Sequence, residues 1–325
     1  MRGVAAVIGA ALLLAAACGE GAGSARSAGA RVGVLHAGMV TNLVRETLAP
    51  AAARRDQIAV ASTKGNSVAL ANQIKAGSQR GDVFMSAGAS VNDTLMGAAN
   101  GSWVDWYAVF AHNAVVLAYS PRSRFASEFE AARGGHVPWY QVLTTPGVKL
   151  GRDDPDLDPL GYYDLFVASL AERYYGLPGL RERILGADRN PAQVLNTSAG
   201  LLTSGNLDAQ FMYASGAADA GVPYIGLPGE VNLSNPSLRD TYATVSYTTA
   251  KGQTFPGSTI DVTATILNRA PGRDAAVRLL ALLLSADGRQ MVAQRHLIPA
   301  PVLVGGNRAA VPAALRPYLQ GTYPP

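Results

Sequence analysis

The chain has 325 residues, of which 48% are apolar and 15% charged, with a formal net charge of +4. Globular chains average about 25% charged residues, so this one is charge-poor, and its length suits about two domains. That balance excludes a collagen, a coiled coil, a disulfide scaffold and an acidic disordered tail, and no long run of like charges marks a nucleic-acid footprint.

The N-terminus differs from the rest. Met1-Arg2 is a short positive end, and residues 4–17 form an apolar run that ends Ala15-Ala16-Ala17-Cys18-Gly19. The run is too short to span a bilayer and suits a secretory signal. Cys18 is the chain's single cysteine, so a disulfide within the chain is excluded. Small residues before a Cys at this place resemble a bacterial lipobox, in which the Cys becomes the lipidated N-terminus. Ala15 stands where Leu is usual. The plainer reading is an ordinary signal peptide with a Cys near its cleavage site. Residues 19–30, rich in Gly, Ser and Ala, read as a flexible tether.

Beyond the tether, residues 32–37 read as a buried strand that stops at Gly38. A helix follows with Leu43, Val44, Thr47 and Leu48 on one side, then a strand at 58–61. Lys64-Gly65-Asn66 leads into a helix carrying Val68, Ala71 and Ile74 on one face, and residues 82–85 form a short strand. Strands alternating with helices imply parallel pairing through crossover helices. Residues 115–119 are another strand. The acidic, Pro-bearing loop 151–162 precedes a helix with Leu165, Phe166, Leu170 and Tyr174 in register. Residues 208–213 form a strand, Ser234-Asn235-Pro236 a turn, 260–267 an alternating strand, and 275–284 an apolar helix.

The chemistry is sparse. His36, His112, His136 and His296 lie far apart, and no zinc spacing, nucleophile elbow or P-loop occurs. No free metal ion and no cofactor is expected. What recurs is a strand, a loop of Gly and small polar residues, and a helix start, at 37–41, 64–67 and 158–162. Helix N-termini offer unpaired N–H groups and a positive dipole end, so several aimed at one cleft would hold an anion with few cationic side chains. The plainer reading is ordinary βα turns.

Several stretches resemble the molybdate/tungstate-binding proteins of ABC transporters, within the type II periplasmic binding proteins. The strongest is Asp154-Pro155-Asp156-Leu157-Asp158-Pro159-Leu160-Gly161-Tyr162, followed by Ala171-Glu172-Arg173-Tyr174-Tyr175, Pro178-Gly179-Leu180 and Ile184-Leu185-Gly186. Residues 208–213, Leu227-Pro228, Val231-Asn232-Leu233-Ser234 and 106–120 continue it. The resemblance covers residues 31–300. It implies an α/β fold of two lobes, each a mainly parallel sheet flanked by helices and joined by two crossing hinge strands, that close over an oxyanion such as molybdate or tungstate. It implies a permease and its ATPase as partners.

Transferred residue by residue, the resemblance makes Gly38, Met39, Asn66, Ser67, Asp158, Tyr162, Met212 and Tyr213 the ligand-binding set. Two positions depart from the family. Met39 stands where its first loop has Ser, leaving the backbone N–H and nearby Thr41. Met212 stands where archaeal tungstate binders have a Glu that joins the Asp on the metal. Asp158 alone is then a candidate ligand to the oxyanion's metal, or only a helix N-cap, a place Asp favours. Met39 and Met212 either line the cleft or fill core.

The expected organisation is a signal peptide (1–17), a lipidated Cys18 with tether (18–30), a discontinuous first lobe (31–117 plus 260–325) and a second lobe (118–259). The expected protein is a monomeric, non-enzymatic solute-binding lipoprotein on the outer face of the bacterial membrane. Two alternatives stand beside it. One keeps the fold and binds an organic anion or other small solute. The other is a secreted hydrolase pairing Asp158 with Asp154 or Asp156.

Overall fold

The computed structural model describes residues 29–186 and 199–324. The expected signal peptide, Cys18 and most of the expected tether lie outside them. Two sheets organise the chain. The larger contains β1 (Arg31–Ala37), β2 (Ala59–Gly65), β3 (Val83–Ala87), β4 (Trp106–Asn113), β11 (Ile260–Ile266), β12 (Ile298–Gly306) and β13 (Gly321–Thr322), in the order β13-β12-β4-β11-β3-β1-β2. The smaller contains β5 (Val115–Tyr119), β6 (Leu150–Gly151), β7 (Ala209–Tyr213) and β8 (Tyr224–Gly226), in the order β6-β7-β5-β8. Strands β9 (Ser246–Thr248) and β10 (Thr254–Pro256) form a separate ribbon.

Both β3 and β11 are buried along their whole length, as strands covered on two faces must be. Helices Ser67–Lys75 and Arg273–Leu284 pack their apolar residues onto the large sheet, while Pro159–Tyr175 covers the small one. The expected α/β architecture of two joined sheets is present. Its pairing is not mainly parallel. β1 pairs in parallel with β2 and β3, but β11 runs antiparallel to both β3 and β4, and β5 runs antiparallel to β7 and β8. The cause is the double crossing. The chain leaves the large sheet at Asn113 and re-enters beside it at Ile260, whose register partner is Asn113. A strand that enters where its neighbour leaves must run the other way. The change of sheet falls at Ala114, so β5 lies wholly in the small sheet rather than being divided after Leu117.

Among the described residues no helix is long and apolar enough to cross a membrane.

Candidate functional site

The carboxyl ends of β1, β2 and β3 lie at one edge of the large sheet, where open α/β sheets place their ligand sites. A cleft of about 580 Å³ opens there, facing the start of helix Pro159–Tyr175 and the end of β7. From the large-sheet side it is lined by Ala37, Gly38, Met39, Lys64, Gly65, Asn66 and Ala87. From the other side come Asp153, Asp158, Leu160, Ala199, Met212, Tyr213 and Gly216.

Six of the eight expected residues therefore meet: Gly38, Met39, Asn66, Asp158, Met212 and Tyr213. Ser67 does not line the cleft. It is buried at the first turn of its helix, and its Oγ accepts from the Ala87 N–H at 3.0 Å, tying the second loop to the end of β3. Tyr162 is also absent from the lining. Its ring stacks on Phe255 of the ribbon (centroids 4.9 Å apart) and meets Tyr163 edge-on, so it forms a layer behind the cleft. Thr41 does not replace the missing hydroxyl of the first loop, because its Oγ1 donates to the Gly38 carbonyl at 2.7 Å.

The two methionines do face the cleft while remaining almost wholly buried. Met39 is bound to the crossing itself: its sulfur accepts from Asn113 Nδ2 at 3.6 Å. The same Nδ2 donates to Ser215 Oγ at 2.7 Å, and Asn113 Oδ1 accepts from the Ala114 N–H. Asn113 thus joins the first binding loop, the crossing strand and the small-sheet side.

Asp158 is a helix cap that faces the cleft. It is the N-cap of helix Pro159–Tyr175, with Oδ1 accepting from the Leu160 N–H at 2.8 Å, and it lines the cleft. Burial pushes its pKa up to about 6, while the Leu160 N–H and the Lys64 charge pull the other way. Gly161 makes this geometry feasible. A Cβ there would lie 2.5 Å from Pro155 N and 2.6 Å from Asp154 C, so the acidic loop packs straight onto the helix backbone. Tyr213 brings a buried hydroxyl with no hydrogen-bond partner among the described residues, and burial raises its pKa well above the phenol's ordinary value.

The other loop aspartates separate by role. Asp154 Oδ1 accepts from the Asp156 N–H, and Asp156 Oδ1 accepts from Tyr247 and from the Ala250 N–H. Both are committed to loop and ribbon structure, which dismantles the carboxylate pair of the hydrolase reading. Asp153, which sequence reasoning missed, is buried and lines the cleft beside Asp158. Lys64 was missed as well, although its place just before the Gly-Asn-Ser turn is visible in the sequence. Among the described residues no group of three or more His, Cys, Asp or Glu is gathered to hold a metal ion. His36 is buried in β1, and His112 is paired with Asp261 at 2.8 Å.

Two sheets joined by a double crossing, with loop ends from both meeting in one cleft, make up the type II periplasmic binding protein fold. The chain belongs to the bacterial extracellular solute-binding protein family, whose model matches residues 32–297. It is a binding protein and not an enzyme. A Haloferax volcanii protein named as an ABC transporter molybdenum-binding protein is 40% identical over 164 residues, covering 50% of this chain and 51% of that one. The molybdate/tungstate-binding protein WtpA of Thermococcus kodakarensis is 32% identical over 218 residues, covering 60% of each. The chain thus spans about half to three-fifths of the length of these relatives. The periplasmic molybdate-binding protein of Azotobacter vinelandii shares the fold, with a TM-score of 0.56 at 17% identity over 82% of this chain and 98% of that one.

Proposed function

We propose that this protein captures a small oxyanion, molybdate or tungstate, between two lobes and delivers it to an ABC permease driven by its ATPase. The lobes are the large sheet (31–114 and 260–324) and the small sheet (115–259), and the crossings at Ala114 and before Ile260 are the hinges. In this reading the ligand bridges the lobes and stabilises their closure. The N–H groups of Gly38, Met39 and Asn66 cradle its oxygens, Tyr213 donates its hydroxyl, and Asp158 and Met212 complete the far wall. Ser67 and Tyr162 hold the loops from behind. Lipidated Cys18 anchors the monomeric protein to the outer face of the cell membrane, and the tether sets its reach.

The observation that carries the reading is the convergence in one cleft of three βα loop ends from one sheet with Asp158 and Tyr213 from the other. The names of the Haloferax and Thermococcus relatives support the choice of oxyanion. Isothermal titration with molybdate, tungstate, sulfate and phosphate tests it. The expected result is tight binding of the first two. Heat from none of the four overturns the oxyanion reading and leaves the family assignment in place. The thioethers of Met39 and Met212 in the cleft favour an organic anion as the second reading, which mass spectrometry of ligand retained through mild purification tests.

A further inference from the structure

The cleft raises a charge problem. Asp153 and Asp158 both line it. A dianion entering beside these carboxylates is repelled unless positive charge meets it. Backbone N–H groups supply only partial charge, and one of them is already committed: the Ala69 N–H, in the first turn of helix Ser67–Lys75, donates across to the Leu157 carbonyl at 3.2 Å. Among the described lining residues, Lys64 alone carries a cationic side chain.

Its placement is specific. Lys64 is the penultimate residue of β2, one residue before Gly65 and directly beside His36 in the parallel register. Its Cε lies 3.4 Å from the position a Cβ on Gly38 would take, so the side chain lies across the first binding loop. The ammonium charge is felt on both sides of the cleft: it works against the burial that raises Asp158, and it adds to the burial that holds His36 below its usual range. Among the described residues Lys64 forms no ion pair, unlike Arg55, Arg133, Arg181 and Arg295.

We infer that Lys64 is a ligand-binding residue, the cation that meets the oxyanion's charge. This rests on the oxyanion reading above and adds to it a residue outside the expected set. Lysine suits the task as a compact charge on a flexible stem that follows a tetrahedral anion without demanding a planar, two-point fit. On binding, its N–H groups turn from the field of Asp158 to the anion's oxygens, and charge-assisted hydrogen bonds of this kind are about twice as strong as neutral ones.

The test is calorimetry of the full chain with molybdate and with tungstate, at low and at physiological salt. Lys64→Met is expected to weaken both by about ten- to a hundredfold. It should flatten the salt dependence and leave the melting temperature unchanged, because Lys64 is exposed. Lys64→Arg is expected to restore most of the affinity and the salt dependence. Unchanged affinity in Lys64→Met, or a loss that Lys64→Arg does not recover, overturns the inference while the oxyanion reading stands. A wild-type chain that binds none of the four oxyanions overturns both, and is told apart because the loss precedes any substitution.

Discussion

The two walls of the cleft are built by different means. The large-sheet wall is mostly backbone: loop ends at Gly38, Gly65 and Asn66, fixed by the strands and helix starts on either side. The small-sheet wall is mostly side chain: Asp153, Asp158, Met212 and Tyr213, projected from one irregular loop and one strand. The backbone of the first wall follows from the strand ends and helix starts of the large sheet. Each wall carries one of the two departures from the resemblance, Met39 in the first and Met212 in the second. Fold likeness therefore speaks to the backbone of the loop ends, while the proposed choice of ligand rests on the side chains, Met39 and Lys64 on one wall and Asp158, Met212 and Tyr213 on the other.

The largest expected effect tests whether the acidic loop depends on the helix beneath it. Gly161→Ala forces a Cβ into the backbone of residues 153–155, with all three nearest atoms under 3 Å. Overpacking against main chain has no flexible atom to yield. A loss of about 3 kcal/mol or more is expected in urea unfolding, together with loss of ligand binding. Full stability in this variant would show that the small-sheet wall is more adaptable than its geometry indicates.

The next effect is electrostatic and belongs to the same wall. The carboxyl of Asp158 titrates at about 6 in the folded protein against 3.8 for an ordinary aspartate. Because the folded pKa is raised, folding favours the protonated form. That contribution is fully present below about pH 4 and is lost as the pH rises from 4 through 6. Asp158→Asn removes the titration yet keeps the helix cap, since Asn caps as well as Asp. The variant is expected to match the wild type near pH 4 and to exceed it by about 3 kcal/mol at pH 8, measured by thermal unfolding across pH. A constant difference across pH would remove burial as the cause.

How much of this was legible in the sequence divides along the same line. The loops of the backbone wall announce themselves, because a buried strand, a Gly-polar turn and a helix start are each local patterns. Ser67 was found by the same route, but the direction of its hydroxyl depends on Ala87, 20 positions away. Lys64 was written in the turn, yet nothing local tells which way the end of β2 faces. Asp153 sits among four aspartates whose separate roles are decided by contacts with Tyr247, Ala250 and Leu160. The strand β12 escaped notice for another reason. Pro299 and Pro301 argue against a strand, and the structure accommodates them with a register shift between Pro299 and Leu303. The antiparallel return of β11 has no local signature, since strand direction follows from the crossing.

A smaller effect probes the seam between the walls. Asn113→Ala strips Ser215 of a partner, leaves the Ala114 N–H unpaired and frees the sulfur of Met39. Leaving such buried groups unsatisfied costs about 2 kcal/mol. If the crossing is the hinge, small-angle scattering should also show a more open average shape in the variant. A destabilised variant with an unchanged scattering profile would confine Asn113 to packing.

The smallest effect separates a residue that touches ligand from one that shapes the wall. Ser67→Ala deletes the acceptor for the Ala87 N–H, a buried neutral hydrogen bond worth about 1 kcal/mol. Placed behind the cleft, Ser67 should cost that much stability and change oxyanion affinity little, because the N–H groups of the neighbouring loop remain where the helix start puts them. A large loss of affinity with unchanged stability would place its hydroxyl on the ligand. It would then move Ser67 from the backbone wall, which the fold dictates, to the set of side chains that choose what is bound.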